Sequence, residues 1–115
     1  MKFILIIMTF PMLIAGECSK KKGENIVPAC VWQKIETIKK EPKWNPPAQM
    51  DEYIYNGKHV FLFSSNCCDQ YNMLYDENCK TICAPSGGIA GHGDQKCVDF
   101  FNTAKYVKLV WKDPR

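Results

Sequence analysis

The first regular pattern in the chain is an apolar stripe at helical spacing. Val31, Ile35 and Ile38 follow one another at i, i+4 and i+7, which places them on one face of an α-helix. Pro28 suits the first turn of such a helix, and Pro42 cannot continue it. The pattern therefore predicts a helix between these two prolines, with its apolar face toward a core.

Alternating segments downstream predict antiparallel strands. Asn56-Gly57 lies between two β-prone runs, and this dipeptide supplies the positive φ angles of a two-residue hairpin turn. A second hairpin is expected to join residues 71–75 to residues 80–83. A last strand is expected at residues 104–112. Its alternation places three apolar side chains on one face: Val107, Leu109 and Trp111.

The segment between the second hairpin and the last strand reads as irregular. Pro85 and four glycines predict a long loop over residues 85–97, and residues 98–102 suit a short helical turn. Together the elements predict the α+β class, with one N-terminal helix packed on a small antiparallel sheet of four or five strands.

The N-terminus has the pattern of a secretory signal. Residues 1–17 combine a positive start with an apolar run of about a dozen residues. A transmembrane helix needs roughly 20 apolar residues, so this run is too short to be one. Residues 18–25 then form a flexible polar linker, and residues 26–115 form a single domain. Two processing routes stay open at Cys18, namely simple secretion and lipidation of this cysteine.

Charge and composition limit the classes of partner that the chain is expected to bind. The net charge is +3, and the excess comes from the lysines at positions 20–22. Because the domain itself shows no basic stripe, we expect no nucleic-acid partner. We also expect no cofactor, and membrane contact only through a lipid anchor at Cys18.

The seven cysteines favour disulfides. Exported thiols tend to be oxidised, which argues against a zinc site, and the C-x-x-C spacing of redox enzymes is missing. If Cys18 is lipidated, an even set remains that can pair fully. The candidate disulfide cysteines, the last of which is expected to close the glycine loop, are Cys30, Cys67, Cys68, Cys79, Cys83 and Cys97.

Strand geometry constrains the pairing. Successive side chains on a strand point to opposite faces, so Cys67 and Cys68 are expected to bond to different partners, one of which is Cys30. In an extended segment, Cys79 and Cys83 lie too far apart to bond to each other. Several complete pairings remain open.

The segment CCDQYNMLYDENCKTICAPSGGIAGHGDQKC resembles the signature of a bacterial family of small exported proteins and lipoproteins of unknown function. In that family a CCDQ segment precedes IC-x-P-x-GG and then G-x-GD-x-x-C-x-DF. This chain departs from the signature at Gln95, where glycine is expected, and at Val98, where proline is expected. The resemblance implies export and a shared fold rather than an activity.

Candidate chemistry outside the cysteines is sparse. Asp94 and Asp99 flank the glycine loop and are candidate ligands for a hard cation such as calcium. The favoured alternative is that they cap turns. A cysteine-dependent enzyme would need a free thiolate near His59 or His92. We expect no catalytic residue.

A surplus of aromatic residues indicates binding. Six of them exceed what so small a core requires, although packing of one sheet face is an alternative role. They are Trp32, Trp44, Tyr53, Tyr55, Tyr71 and Tyr75. The sequence thus predicts a non-catalytic binding or interaction module, located in the periplasm, at the outer membrane or outside the cell. Its expected partner is a protein or an envelope component.

Overall fold

The computed structural model describes residues 27–115, so the predicted signal peptide, linker and Cys18 lie outside the described residues. No helix in this part of the chain is long and apolar enough to cross a membrane. Its elements in chain order are α1 (Ala29–Lys39), β1 (Gln49–Tyr55), β2 (Lys58–Phe63), β3 (Tyr71–Tyr75), β4 (Thr81–Gly87), α2 (Phe100–Thr103) and β5 (Lys105–Lys112).

The strands form one antiparallel sheet in the order β4-β3-β2-β1-β5. The first four strands are two successive hairpins, whereas β5 returns to pair with β1 at the opposite edge. The predicted α+β class is confirmed, with five strands in the sheet.

The first hairpin turns at the predicted dipeptide. Asn56 and Gly57 have φ angles of 52° and 76°, the left-handed conformation that a two-residue hairpin turn requires. Met50 lies opposite Phe63 in the resulting register. Alternation along this hairpin then sorts its side chains onto the two faces of the sheet.

The face of the sheet beneath α1 carries the larger part of the core. The predicted stripe of α1, Val31, Ile35 and Ile38, is buried. Its buried core partners come from the first hairpin and the residue before it: Ala48, Met50, Phe61 and Phe63. Each large apolar side chain buried in this way contributes about 1.5–3 kcal/mol. The helix is therefore held mainly by apolar contact with β1 and β2.

The opposite face is covered by α2. Phe100 is fully buried and meets the rings of Tyr53 and Tyr55 edge-on, at centroid distances of 4.9 and 5.2 Å. The Tyr55 hydroxyl donates a 2.6 Å hydrogen bond to the Asp99 carboxylate. This hydrogen bond raises the pKa of Tyr55, and burial and the negative charge of Asp99 raise it further. The sheet thus has a packed layer on each face.

The prediction that Val107, Leu109 and Trp111 share one face of β5 is wrong. The consecutive β1 residues Met50 and Asp51 pair with Trp111 and Leu109. Val110 is therefore an extra residue in β5, between these two pairs. Such a bulge interrupts the alternation of faces. As a result, the neighbouring side chains of Val110 and Trp111 both pack against the core under α1.

All six candidate cysteines form disulfides, as Cys30–Cys79, Cys67–Cys68 and Cys83–Cys97. The expectation that Cys30 bonds to Cys67 or Cys68 is wrong, and so is the exclusion of a bond between those two neighbours. Both errors come from treating the pair as part of a strand. It lies in a turn between β2 and β3, where Cys67 has a φ of 64° and strand alternation does not apply.

The glycine loop folds back against β4. The Gly93 N–H donates to the Gly87 carbonyl at 3.0 Å, and the Asp94 N–H donates to the Ala84 carbonyl at 2.9 Å. A Cβ placed on Gly93 would overlap the backbone oxygen of Ala84. The Cys83–Cys97 disulfide closes this loop, so hydrogen bonds and a covalent bond fix the same segment.

The last residues clamp the end of α1. Arg115 donates to both carboxylate oxygens of the buried Asp113, the shortest of these bonds being 2.7 Å. The same guanidinium donates to the carbonyls of Ile38 and Glu41 at 3.3 and 2.8 Å. It therefore adds hydrogen bonds to carbonyls at and just beyond the C-terminal end of α1, one of which, that of Ile38, also accepts from the Glu41 N–H. The Arg115 hydrogen bonds lower the pKa of Asp113.

Gly93→Ala should destabilise the domain more than Gly91→Ala. Both glycines have positive φ angles, at 68° and 75°, so both substitutions carry a backbone cost of about 1–2 kcal/mol. Only Gly93 also faces a backbone overlap, since nothing lies within 4 Å of a Cβ on Gly91. We expect a further loss of about 1–3 kcal/mol for Gly93→Ala in urea unfolding. Equal losses for the two variants would contradict the described path of the loop.

Asp113→Asn should lower stability at neutral pH and have less effect in acid. Because the pKa of Asp113 is lower in the folded state, its contribution is present above the unfolded pKa of about 3.9 and is lost as the pH falls through the folded value. The difference in urea unfolding between wild type and variant should therefore shrink progressively as the pH falls below about 4. The exposed Asp69→Asn serves as the control. A difference in unfolding free energy between wild type and Asp113→Asn that stays constant down to acid pH would contradict a stabilising contact between Asp113 and Arg115.

Candidate functional site

A cleft of about 420 Å³ opens between the C-terminal half of α1 and the segment that joins β2 to β3. Ile38 and Phe63 line it, and both belong to the core under the helix. Three further aromatic side chains, which are only partly buried or exposed, also line it: Trp44, Tyr71 and Tyr75. The cleft is thus rooted in the core and presents aromatic surface to solvent.

Tyr75 forms the wall on β3. Its ring meets Phe63 edge-on with the centroids 5.7 Å apart, and the Lys34 ammonium lies 4.3 Å from the Tyr75 centroid. Burial raises the pKa of the Tyr75 phenol. The ring therefore stays neutral at physiological pH and engages the lysine through a cation–π contact.

Tyr71 begins β3 at the other side of the cleft and is 49% exposed. A Cβ on Gly88 would lie only 2.6 Å from its ring, so this close approach of ring and backbone requires glycine. The Gly88 N–H also donates to the Gln70 carbonyl at 3.0 Å. The CCDQ and SGG parts of the sequence signature therefore meet here, and backbone supports one side of the Tyr71 ring.

The polar groups of the cleft fall into two kinds. Those with charges have partners within the chain: Glu41 accepts a 2.8 Å hydrogen bond from the indole N–H of Trp44, and Lys34 contacts Tyr75. The side-chain amides of Asn66 and Gln70 make no hydrogen bond to another described residue. Two uncharged amides are thus free to bond to a ligand, beside one positively and one negatively charged side chain.

The Cys67–Cys68 disulfide lies between these two amides in sequence. Both cysteines are exposed, whereas Cys83 and Cys97 are buried. Ser65 joins the ends of the turn, because its hydroxyl lies 3.3 Å from the Cys67 carbonyl and 3.2 Å from that of Gln70. The disulfide and the serine together restrict the rim of the cleft.

The α1 wall of the cleft is fixed by a disulfide to the β3–β4 hairpin. Cys79 sits in the β3–β4 turn, where the Asp76 carboxylate accepts hydrogen bonds from the Asn78 and Lys80 N–H groups at 2.8 and 2.9 Å. Its disulfide to Cys30 ties this turn to the first turn of α1. This disulfide therefore holds α1 to the hairpin whose strand β3 carries Tyr75 in the wall of the cleft.

The candidate calcium ligands are engaged within the chain. Asp94 accepts a 3.0 Å hydrogen bond from the Lys96 N–H, and Asp99 accepts the Tyr55 hydroxyl. Among residues 27–115, no group of three or more acidic, histidine or cysteine side chains gathers as for a metal ion. Asp94 thus has the turn-capping role, whereas the Asp99 carboxylate accepts a tyrosine hydroxyl and makes no capping hydrogen bond to α2.

The candidate residues of a cysteine enzyme are not assembled. All six cysteines of the described range form disulfides. His92 is exposed in the glycine loop. His59 lies on β2 beside Glu52, with 3.7 Å between its Nδ1 and the Glu52 Oε1. The described chain therefore offers neither histidine a thiolate.

Glu52 is a buried carboxylate that the sequence argument overlooked. It is 1% exposed, and its Oε2 and the Nδ1 of His59 make no hydrogen bond within the described chain. The sequence did carry a signal for its burial, because Met50, Glu52 and Ile54 occupy every second position of β1 and so share the face under α1. Glu52 does not line the cleft.

Only three of the six aromatic residues that indicated binding in the sequence line the cleft. Tyr53 and Tyr55 pack against Phe100 on the opposite face, and Trp32 is 43% exposed on α1 outside the cleft lining. The alternative role of packing therefore holds for the two tyrosines, whereas Trp44, Tyr71 and Tyr75 form one surface.

Comparison with known proteins gives a family without an activity. The sequence model of DUF6970, a domain of unknown function, matches residues 36–113, which is well over half of the chain. No curated protein and no solved structure matches. The matched segment contains almost the whole cleft and all of the sheet.

The vicinal disulfide should matter little for stability. A bond between residues 49 positions apart, such as Cys30–Cys79, is worth about 4 kcal/mol in the chain-entropy account. A bond between neighbours closes almost no loop. We therefore expect the double variant Cys67→Ser, Cys68→Ser to lose no more than about 1 kcal/mol in urea unfolding. The control, Cys30→Ser with Cys79→Ser, should lose several times more. Equal losses would contradict a local role for the vicinal pair.

Proposed function

The chain belongs to the DUF6970 domain family, whose function is unknown, and we propose that it is an exported, non-catalytic binding domain. Its binding site is the cleft between α1 and the β2–β3 connection. Its partner is a protein or another component of the cell envelope, met in the periplasm, at the outer membrane or outside the cell.

The cleft itself is the observation that carries this proposal. Ligand sites are typically concave and apolar, with a few polar groups that set orientation. Here Trp44, Tyr71 and Tyr75 supply the apolar surface, while Asn66 and Gln70 supply polar groups that the rest of the described chain leaves free. Exposed aromatic side chains of this kind supply much of the binding energy at recognition surfaces.

Rigidity of the walls also supports a binding role. The Cys30–Cys79 disulfide holds α1 to the β3–β4 turn, and Arg115 holds the C-terminal end of α1. A site whose walls are already ordered loses less conformational entropy when it binds. The cross-links therefore favour affinity at this cleft.

Export is supported by two independent features. The disulfides fit an oxidising compartment, where such bonds persist. The apolar run at residues 3–14 after a positive start has the pattern of a secretory signal. Lipidation of Cys18 would keep the domain at the membrane surface, and the polar linker would let the cleft face outward.

A non-catalytic role is supported by how the reactive groups are used. The cysteines of the described range form disulfides, and Asp94, Asp99 and Asp76 accept hydrogen bonds that organise turns and a tyrosine. Groups employed in this way stabilise structure. The balanced charge of the domain supports a partner other than nucleic acid.

Tyr71→Ala should weaken capture of the natural partner. Immobilised wild-type domain is incubated with a cell-envelope extract of the organism that produces it, and the recovered material is quantified. Truncating an aromatic anchor typically weakens binding about tenfold or more. The matched control is Tyr106→Ala, since Tyr106 is 58% exposed but lies on β5 outside the cleft. Equal recovery by all three proteins would count against the cleft as the binding site.

A further inference from the structure

We infer that the cleft binds a neutral saccharide chain. This inference rests on the proposed function and adds the chemical class of the ligand. It is drawn from three properties of the lining: its two charged side chains have opposite signs, its most exposed aromatic ring lies beside the Gly88 backbone, and two of its polar side chains are amides without a partner in the described chain.

The charges argue for a neutral ligand. Lys34 and Glu41 are the two charged side chains of the lining, and they carry opposite charges. Lys34 lies over the Tyr75 ring, and Glu41 accepts the indole N–H of Trp44. The lining therefore carries no net charge, which favours a ligand without net charge over a strongly anionic or cationic one.

Tyr71 offers a platform for a sugar ring. Its ring is 49% exposed, and the backbone at Gly88 supports one side of it. The face of an aromatic ring carries partial negative charge. The C–H groups on one face of a pyranose are weakly positive and apolar, so they stack against such a face. A sugar would therefore stack on the part of the Tyr71 ring that is exposed to solvent.

Asn66 and Gln70 match the hydroxyl groups around a sugar. Each side-chain amide presents an acceptor oxygen beside a donor nitrogen, and so can bond two neighbouring hydroxyls at once. Neither amide has a partner among the described residues. Uncharged amides beside an aromatic platform thus complement a ligand that is apolar on its faces and polar at its edge.

The vicinal disulfide then acquires a positioning role. Cys67 and Cys68 lie between Asn66 and Gln70, and their bond reduces the number of conformations that the turn can adopt. Fewer free conformations mean a smaller entropic loss when both amides engage one ligand. Reduction of this exposed bond should therefore weaken saccharide binding while leaving the fold intact.

The test uses the mature, oxidised domain on an array of neutral oligosaccharides that includes hexose and N-acetylhexosamine homopolymers in α and β linkage. We expect binding to at least one neutral series, and amide-resolved NMR shifts confined to the cleft when that sugar is added. Tyr71→Ala should weaken binding about tenfold or more, and Asn66→Ala and Gln70→Ala each about threefold to tenfold. Tyr106→Ala should bind as wild type does. The vicinal double serine variant should bind more weakly than wild type while losing little stability in urea unfolding.

Failure of the saccharide inference can be separated from failure of the binding proposal. The envelope extract is treated with periodate, which cleaves vicinal diols of sugars, or with proteinase K before capture. Capture lost after periodate and kept after proteinase supports a saccharide. Tyr71-dependent capture that survives periodate but not proteinase overturns the saccharide and keeps the binding domain. Binding to none of the neutral oligosaccharides on the array also overturns the inference. Equal capture by wild type and Tyr71→Ala overturns both proposals.

Discussion

The contact between α1 and the β1–β2 hairpin is the constraint on which the rest of the structure depends. Val31, Ile35 and Ile38 are buried against this hairpin, in the larger of the two core clusters of the described residues. The Cys30–Cys79 disulfide secures the start of the helix and Arg115 secures its end. The cleft exists because a helix held at both ends stands beside a sheet that continues past it to β3.

The glycine loop connects the two faces of the molecule. On one side its disulfide, Cys83–Cys97, leads into α2, and so into the core around Phe100. On the other side Gly88 supports Tyr71, which lines the cleft. The loop thus contacts both layers of the molecule, and a Cβ at Gly87, Gly88 or Gly93 would lie within 3 Å of a backbone atom or of the Tyr71 ring. Binding surface and packing are built from the same segment.

Most of the fold follows from local pattern, and most of the site does not. The helix, both hairpins and the last strand could be predicted because apolar spacing and Asn56-Gly57 act over a few residues. The position of β5 beside β1, its bulge at Val110 and the partner of Cys30 depend on contacts distant in sequence. The aromatic surplus pointed to binding, but only tertiary packing separates the cleft tyrosines from Tyr53 and Tyr55. The assumption that Cys67 and Cys68 lie on a strand failed, since a left-handed residue in a turn leaves no hydrophobic signature.

A disulfide map of the oxidised domain tests the central claim most directly. Cleavage by trypsin together with an enzyme that cuts before aspartate separates Cys67 and Cys68, in residues 59–68, from Cys79, in residues 76–80. The structure predicts that residues 23–34, which contain Cys30, are linked to residues 76–80, while residues 59–68 carry an internal bond. A link between residues 23–34 and residues 59–68 would contradict the account, because α1 would then be tied to the rim of the cleft instead of the β3–β4 turn.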